Sequence, residues 1–206
     1  MATPDARVPK VMEVLIDAMM NLRATETEGI FRVPTSLTEL EMLRKQFNSG
    51  DYACAAMRDA HLPACLLKLW LRDLSEALIP DYYYTNALYC DTVEDRQRLL
   101  KSLPEENQNV IVRLFELVYT LSKHSAVTKM DLNNLAMVFS PCFLRCPAMD
   151  PLVVMENLPR EGMFVRGSFG DYCKARDALA AATAAAAAGE QENKEAADQE
   201  ASKVEA

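Results

Sequence analysis

The 206-residue sequence contains no run of about 20 strongly apolar residues, the length that a helix needs to cross a bilayer. It also does not open with a charged and then apolar secretory segment, because Asp5, Arg7 and Lys10 interrupt its first residues. These absences argue against a membrane span and against secretion. We therefore expect a soluble, cytoplasmic protein.

The six cysteines lack the spacing of a disulfide framework or of a zinc site. His61 and Cys65 are four residues apart, as are Cys142 and Cys146, but neither pair has a matching second half, and a tetrahedral zinc site needs four ligands. We expect reduced thiols and no bound metal. No nucleophile with a base and no pair of catalytic carboxylates emerges either, which argues against an enzyme that acts by itself.

Basic residues are not in excess, since the formal net charge is −8. Half of this charge lies in residues 189–206, where six acidic residues face two lysines. Binding to nucleic acid needs a basic stripe, so no nucleic-acid partner is expected. Residues 178–188 are almost pure alanine, and together with the acidic end they predict a low-complexity, largely mobile tail. We place a helical domain at residues 1–175 and the tail at 176–206.

Hydrophobic periodicity predicts an all-α domain with short loops between its helices. The first helix has apolar residues at three-and-four spacing, and Ser36 and Glu39 form a capping box for the second, which Gly50 stops. Residues 51–60 have no clear period and predict a loop. Further helices are predicted to begin at His61, Val93, Pro104 and Pro151, with one more after a cap at Thr128.

Three local patterns bear on where helices end and on which side chains have partners. Leu78–Tyr84 is predicted to break the third helix, with its tyrosines packed in the core or presented to a partner, and core packing is the expected use. Ser140-Pro141 is predicted to end the helix that follows Thr128. Within that helix, the adjacent asparagines 133 and 134 indicate that at least one amide has a partner, either a neighbouring loop or a bound protein.

The segment Glu28–Thr35 predicts a tight, rigid loop between the first two helices. Gly29 permits backbone angles that other residues resist, and Pro34 fixes its own φ. Ile30 and Phe31 are expected to bury their side chains and so to fix Arg32 at the surface. Taken alone, an arginine beside a turn is usually a solvated charge.

Four blocks of the sequence, in this order, resemble the Rho GTPase-activating protein (RhoGAP) domain. They are Thr27–Arg32, His61–Leu74, Leu103–Asn107 and Lys129–Phe139, within a similarity that runs from about Val8 to Tyr172. Arg32-Val33-Pro34 and residues 127–138 look closest to the Vilse/CrossGAP subgroup, in which the domain follows MyTH4 and WW domains. Those domains are absent here, so we expect an excised domain or a compact relative.

The resemblance implies a single helical RhoGAP-type domain that accelerates GTP hydrolysis by Rho-family GTPases such as Rac, Cdc42 and Rho. It implies that Arg32 is the arginine finger, which enters the GTPase active site in trans, and that Glu28 and Gly29 support the finger loop. Lys68 and Arg72 match the helix that supports this loop and meets the GTPase switch regions, although their one-turn spacing also fits a solvated basic face. Asn134 matches an amide that contacts the bound GTPase.

The resemblance also implies that the domain needs no cofactor, because Mg²⁺ and GTP belong to the partner GTPase. The lack of a Gly-rich phosphate loop with its lysine agrees with this division. We expect a monomer that binds a GTP-bound Rho-family GTPase. The alternative is a catalytically silent Rho-family binding module or scaffold.

Two departures from the family pattern lie outside the Arg32 loop. Ser140-Pro141-Cys142 stands where many members have Gly-Pro-Asn, which is expected to remove an amide near the contact face. Leu74–Leu78 lacks the two prolines of the usual Leu-Pro-Glu-Pro-Leu and is expected to form a looser loop.

Overall fold

The computed structural model describes residues 8–54 and 57–204, with side chains described as far as residue 187. These residues form nine α-helices and one 3₁₀ turn, and they contain no strand, which confirms the predicted all-α class. The helices are α1 (Lys10–Asn21), α2 (Leu37–Asn48), α3 (His61–Asp73), α4 (Asp81–Leu88), α5 (Val93–Ser102), α6 (Glu105–Lys123), α7 (Ser125–Thr128), α8 (Leu132–Phe143) and α9 (Pro151–Val204), and the 3₁₀ turn is Ala24–Glu26.

The core of the protein lies where the apolar faces of α1, α3, α6 and α8 meet. Helix α1 packs along α3, and α3 packs along α8. Aromatic rings fill the centre, with Phe115, Phe143 and Phe169 at centroid distances between 5.6 and 6.1 Å. The largest fully buried side chains are Phe31, Phe139, Phe143, Phe164, Phe169, Met12, Leu15, Met19, Ile30, Leu67, Leu71 and Leu78.

Polar contacts join the helices around this core. Arg113 on α6 binds Glu13 on α1 through Nε and one terminal nitrogen, each at 3.0 Å from a carboxylate oxygen. On the other side, the Tyr84 hydroxyl donates to Glu161 at 2.6 Å and so ties α4 to α9. Glu161 is buried, and burial raises the pKa of its carboxyl group.

The predicted start of α2 is confirmed, whereas the predicted start of α8 is wrong. Ser36 Oγ accepts a hydrogen bond from the Glu39 amide at 3.4 Å, and Gly50 follows α2 with φ +84°. Thr128 does not cap α8, because it lies in α7 and is fully buried. Asp131 caps α8 instead, and its carboxylate accepts from the amide three residues on at 2.8 Å.

Of two predicted helix boundaries near prolines, one is wrong and one is confirmed. Pro141 lies inside α8, which continues to Phe143 because that ring is buried in the core against Phe115 and Phe169. The stretch after Pro80 breaks α3 as predicted, but it then forms α4. Its tyrosines divide between the two expected uses, since Tyr84 is buried and Tyr82 is 85% exposed.

Helix α9 continues through Gly162, Gly167 and Gly170, although glycine has a low helix propensity. At Gly167 an added Cβ would lie 2.8 Å from the Arg96 guanidinium, so the absence of a side chain allows this close approach. Beyond it, the alanines have the highest helix propensity of any residue. No helix in the described part of the chain is both long and apolar enough to span a membrane.

Residue contacts divide the chain into two units, Met1–Gly170 and Asp171–Ala206. The predicted boundary at residue 175 and the mobility of the tail stay predictions. Each unit contains part of α9, and the second consists of the end of this helix with its alanine-rich segment.

Deletion of the residues after Ala178 is expected to leave the fold intact, because the side chains described beyond that point are exposed. The thermal unfolding midpoint of the shortened protein, measured by circular dichroism, should stay within about 2 °C of the full chain, since exposed residues away from special features contribute little. A fall of about 10 °C would contradict this and would show that the tail stabilises the domain.

Candidate functional site

The Arg32 loop, residues 27–35, forms a tight turn between the 3₁₀ turn and α2. Gly29 has φ +68°, and its carbonyl oxygen accepts from the amides of Arg32 at 2.8 Å and Val33 at 2.9 Å. A Cβ at Gly29 would lie 2.7 Å from Val33 Cγ2, so the turn needs glycine for space as well as for its backbone angle. The expected role of Gly29 in shaping the loop therefore has a direct steric basis.

Phe31 has φ +68°, a backbone conformation that is strained for a bulky aromatic residue. Its side chain is fully buried, and its ring packs against Phe139 of α8 at a centroid distance of 4.8 Å. Ile30 is also fully buried, which confirms that these two side chains anchor the loop. Burial of the ring offsets the strain and turns the next residue, Arg32, outward.

Helix α3 holds the same loop from the other side. The Lys68 ammonium donates a hydrogen bond to the Phe31 carbonyl oxygen, and the Cys65 thiol lies 3.7 Å from the Val33 carbonyl oxygen. Lys68 is half-buried, and burial together with the nearby charge of Arg72 lowers the pKa of its ammonium group. The structure therefore places Lys68 next to the residue that precedes Arg32.

Arg32 and Arg72 keep their charges available at the surface. Both side chains are exposed, and neither forms an ion pair within residues 8–54 and 57–187. Asp73, which could have neutralised the basic face of α3, instead binds Arg44 of α2 at 2.8 Å. Two guanidinium groups without a carboxylate partner can serve a negatively charged ligand or protein.

Asn134 lies at the first turn of α8 and has a loop as its partner. Its Nδ2 donates to the Lys129 carbonyl oxygen at 3.2 Å. The neighbouring carbonyl, that of Thr128, accepts from the Gly29 amide at 2.7 Å, so the turn that Asn134 contacts also holds the Arg32 loop. Of the two uses that the sequence left open, the structure contains the loop partner. Glu28 is exposed at the start of the Arg32 loop.

Cys142 stands where many members of the family have Asn, and this difference was expected to remove an amide near the contact face. The structure instead places Cys142 in the interior. It is fully buried between α8 and α3, with Sγ 3.8 Å from the Lys68 carbonyl oxygen. Burial raises the pKa of its thiol to about 11. The departure from the family pattern therefore changes the packing beneath Lys68.

The segment that lacks two prolines, Leu74–Leu78, is fixed by hydrogen bonds from distant residues. Arg145 donates to the carbonyl oxygens of Leu74 at 2.7 Å and Leu71 at 3.1 Å, and Asn107 donates to that of Leu78 at 3.0 Å. The looser loop was predicted from the missing prolines alone, without knowledge of these hydrogen bonds. In the sequence, Asn107 lies in a block that resembles the family, but no pattern indicates the contacts made by Arg145.

Comparison with known proteins gives one family for this chain. The sequence model of the RhoGAP domain matches residues 9–148. The chain is 38% identical over 164 residues to "GTPase activating protein homolog 2" of Dictyostelium discoideum, which covers 79% of this chain and 18% of that protein. It is 33% identical over 159 residues to human "Rho GTPase-activating protein 24", and the match covers 72% of this chain and 21% of that protein. The chain thus spans about a fifth of the length of these relatives.

Solved structures share the fold. Human Rho GTPase activating protein 15 superposes with a TM-score of 0.75 at 21% identity, over 81% of this chain and 83% of that one. The BH domain of GRAF, described as the GTPase regulator associated with focal adhesion kinase, has a TM-score of 0.69 at 18% identity. The match covers 80% of this chain and 91% of that one. At these identities the likeness concerns the arrangement of helices alone.

Gly29→Ala is expected to destabilise the protein by about 1–3 kcal/mol, because alanine resists a positive φ and its Cβ would collide with Val33. Denaturant unfolding followed by circular dichroism measures this. The matched control is Gly162→Ala in α9, where an added Cβ meets no atom within 4 Å. That variant should be stabilised by up to about 1 kcal/mol. Equal stability of Gly29→Ala and wild type would contradict the proposed constraint.

Proposed function

Because the chain belongs to the RhoGAP domain family, whose sequence model covers residues 9–148, we propose that it accelerates GTP hydrolysis by a Rho-family small GTPase. In this proposal Arg32 is an arginine finger that enters the active site of the GTPase in trans. The observation that carries it is an exposed, unpaired guanidinium on a loop whose preceding residue is fixed by Lys68 and Phe139.

The chemistry of GTP hydrolysis explains why an arginine is needed. Negative charge develops on the transferring phosphoryl group and on the oxygen that bridges the β- and γ-phosphates, and a guanidinium can donate to both. Arginine fingers are worth about 10³–10⁵ in rate, which is ~4–7 kcal/mol of barrier. An exposed ion pair, by contrast, contributes at most about 1 kcal/mol, so the solvated-charge interpretation gives Arg32 no comparable role.

The fixed loop supports this role through entropy and geometry. A guanidinium on a flexible tip would lose conformational freedom when it enters the GTPase, and that loss would weaken transition-state stabilisation. Here Phe31 is buried and its carbonyl is bound before any partner arrives. The backbone on which Arg32 stands is therefore already positioned.

The other candidate residues receive supporting roles. Lys68 holds the finger loop, and Arg72, one turn further along α3, is proposed to contact the switch regions of the GTPase. Gly29 and Glu28 shape the start of the loop. Asn134 is proposed to face the bound GTPase while its amide holds the Lys129 carbonyl. Mg²⁺, GTP and the glutamine that orients water are assigned to the GTPase, so that this chain supplies no cofactor.

Three narrower proposals rest on the sequence. We place the domain in the Vilse/CrossGAP subgroup on the basis of Arg32-Val33-Pro34 and residues 127–138. We also propose that it acts as a monomer and in the cytoplasm. The alternative is a catalytically silent Rho-binding module, and the sequence feature that keeps it open is Cys142, which stands where many RhoGAP domains have Asn.

Arg32→Ala is expected to abolish the acceleration, with a loss of about 10³-fold or more in the single-turnover rate of GTP-loaded Rac, Cdc42 or Rho. Binding to a GDP–fluoride complex, which resembles the transition state, should weaken as well. Arg98→Ala is the matched control, because Arg98 is 79% exposed on α5 and, within the described residues, pairs with Asp95 of the same helix. It should retain the wild-type rate.

Failure of the wild-type protein to accelerate any Rho-family member would overturn the proposal in favour of the silent binding module. Acceleration that survives Arg32→Ala would instead show that another residue supplies the catalytic charge.

Arg32→Lys keeps the positive charge but loses the planar fork of the guanidinium, so the variant should remain impaired by about 10²-fold or more. The same single-turnover assay measures it. A rate close to wild type would show that charge alone is sufficient and that bidentate donation is not used.

A further inference from the structure

The Arg32 loop is joined to the α7–α8 turn by one backbone hydrogen bond. The Gly29 amide donates to the Thr128 carbonyl oxygen at 2.7 Å, and this bond connects segments that are far apart in the sequence. The Gly29 carbonyl in turn accepts from the amides of Arg32 and Val33. Any displacement of the Thr128 carbonyl would therefore pass to the backbone of Arg32 through a single peptide.

The Thr128 hydroxyl sets the direction of that carbonyl. It donates to the His124 carbonyl oxygen at 3.2 Å and accepts from the Met130 amide at 3.3 Å. It thus links residues on both sides of the Thr128 carbonyl. Thr128 and Met130 are fully buried, so water cannot take the place of the hydroxyl at the Met130 amide if the hydroxyl is lost.

The next peptide in the turn is fixed as well. Lys129 has φ +55°, in the left-handed region, and its carbonyl oxygen accepts from Asn134 Nδ2 at 3.2 Å. Its ammonium group donates to the Ala126 carbonyl oxygen at 2.7 Å. The turn is therefore held by local side-chain hydrogen bonds on both sides of the carbonyl that accepts from Gly29.

We propose that Thr128 is a positioning residue for Arg32: its hydroxyl holds the α7–α8 turn so that the Thr128 carbonyl anchors Gly29 and the Arg32 loop. This inference rests on the proposed function of Arg32 as an arginine finger. Thr128 itself is fully buried and so presents no surface to a partner. It acts on the rate through Gly29 alone.

Thr128→Val tests the proposal, because valine keeps the shape of threonine and removes the hydroxyl. A misplacement of about 1 Å can cost a reaction 10²-fold, so we expect the maximal single-turnover rate at saturating domain to fall about 10- to 100-fold. The affinity for a GTPase loaded with a non-hydrolysable GTP analogue should change by less than about threefold, because the exposed contact side chains are unaltered. Thr128→Ser retains the hydroxyl and should restore the rate.

Ser168→Ala is the matched control for loss of a buried hydroxyl. Ser168 is 2% exposed, and its Oγ donates to the Phe164 carbonyl oxygen at 2.9 Å within α9. This variant should keep the wild-type maximal rate. If Ser168→Ala and Thr128→Val lose rate equally, the loss reflects general destabilisation and the proposal is overturned.

Hydrogen exchange of the Gly29 amide, followed by NMR, tests the anchor independently of catalysis. Protection of this amide should fall about tenfold or more in Thr128→Val and be retained in Thr128→Ser. Unchanged protection in Thr128→Val would overturn the inference even if Arg32 is the finger. Absence of acceleration by the wild-type protein would instead overturn the proposed function, whatever the exchange data show.

Discussion

The burial of Phe31 against Phe139 is the contact on which the candidate site depends. A phenylalanine at φ +68° would leave this conformation if its ring were exposed, because nothing local favours it. Burial of an aromatic ring contributes at least as much as such strain costs, so the tertiary contact decides the backbone angle. The next residue, Arg32, is exposed to solvent.

The remaining contacts hold this arrangement in place from both sides. Lys68 on α3 binds the Phe31 carbonyl, and the α7–α8 turn binds the Gly29 amide. The same helices form the core, since α3 packs between α1 and α8. The stability of the core and the position of Arg32 are thus parts of one structure, and a change beneath the surface can act on the site without touching a partner.

The positive charges near Arg32 are divided between the interior and the surface of the protein. Lys68 is half-buried and uses its ammonium group inside the protein, whereas Arg72, one turn away, is exposed. The carboxylate of Asp73 binds Arg44 of α2, and among the described side chains no carboxylate pairs with Arg32 or Arg72. Cys142, buried behind Lys68, adds no charge because its thiol pKa is raised to about 11. The surface around Arg32 therefore keeps its positive charge for an anionic partner.

The sequence by itself determined features that depend on near neighbours: the helical periods, the Ser36 cap, the need for glycine at position 29 and the anchoring role of Ile30 and Phe31. Ordered motifs also indicated the family and Arg32. Only the tertiary structure decided that Pro141 stays inside α8, that Asp131 and not Thr128 caps that helix, that Cys142 is buried and that Asn134 binds a loop. The place of Pro141 inside α8 and the burial of Cys142 depend on packing against residues distant in the chain, which overrides local preference. Asp131 and Asn134 instead bind partners three and five residues away, and the sequence alone did not choose between these local partners and the alternatives.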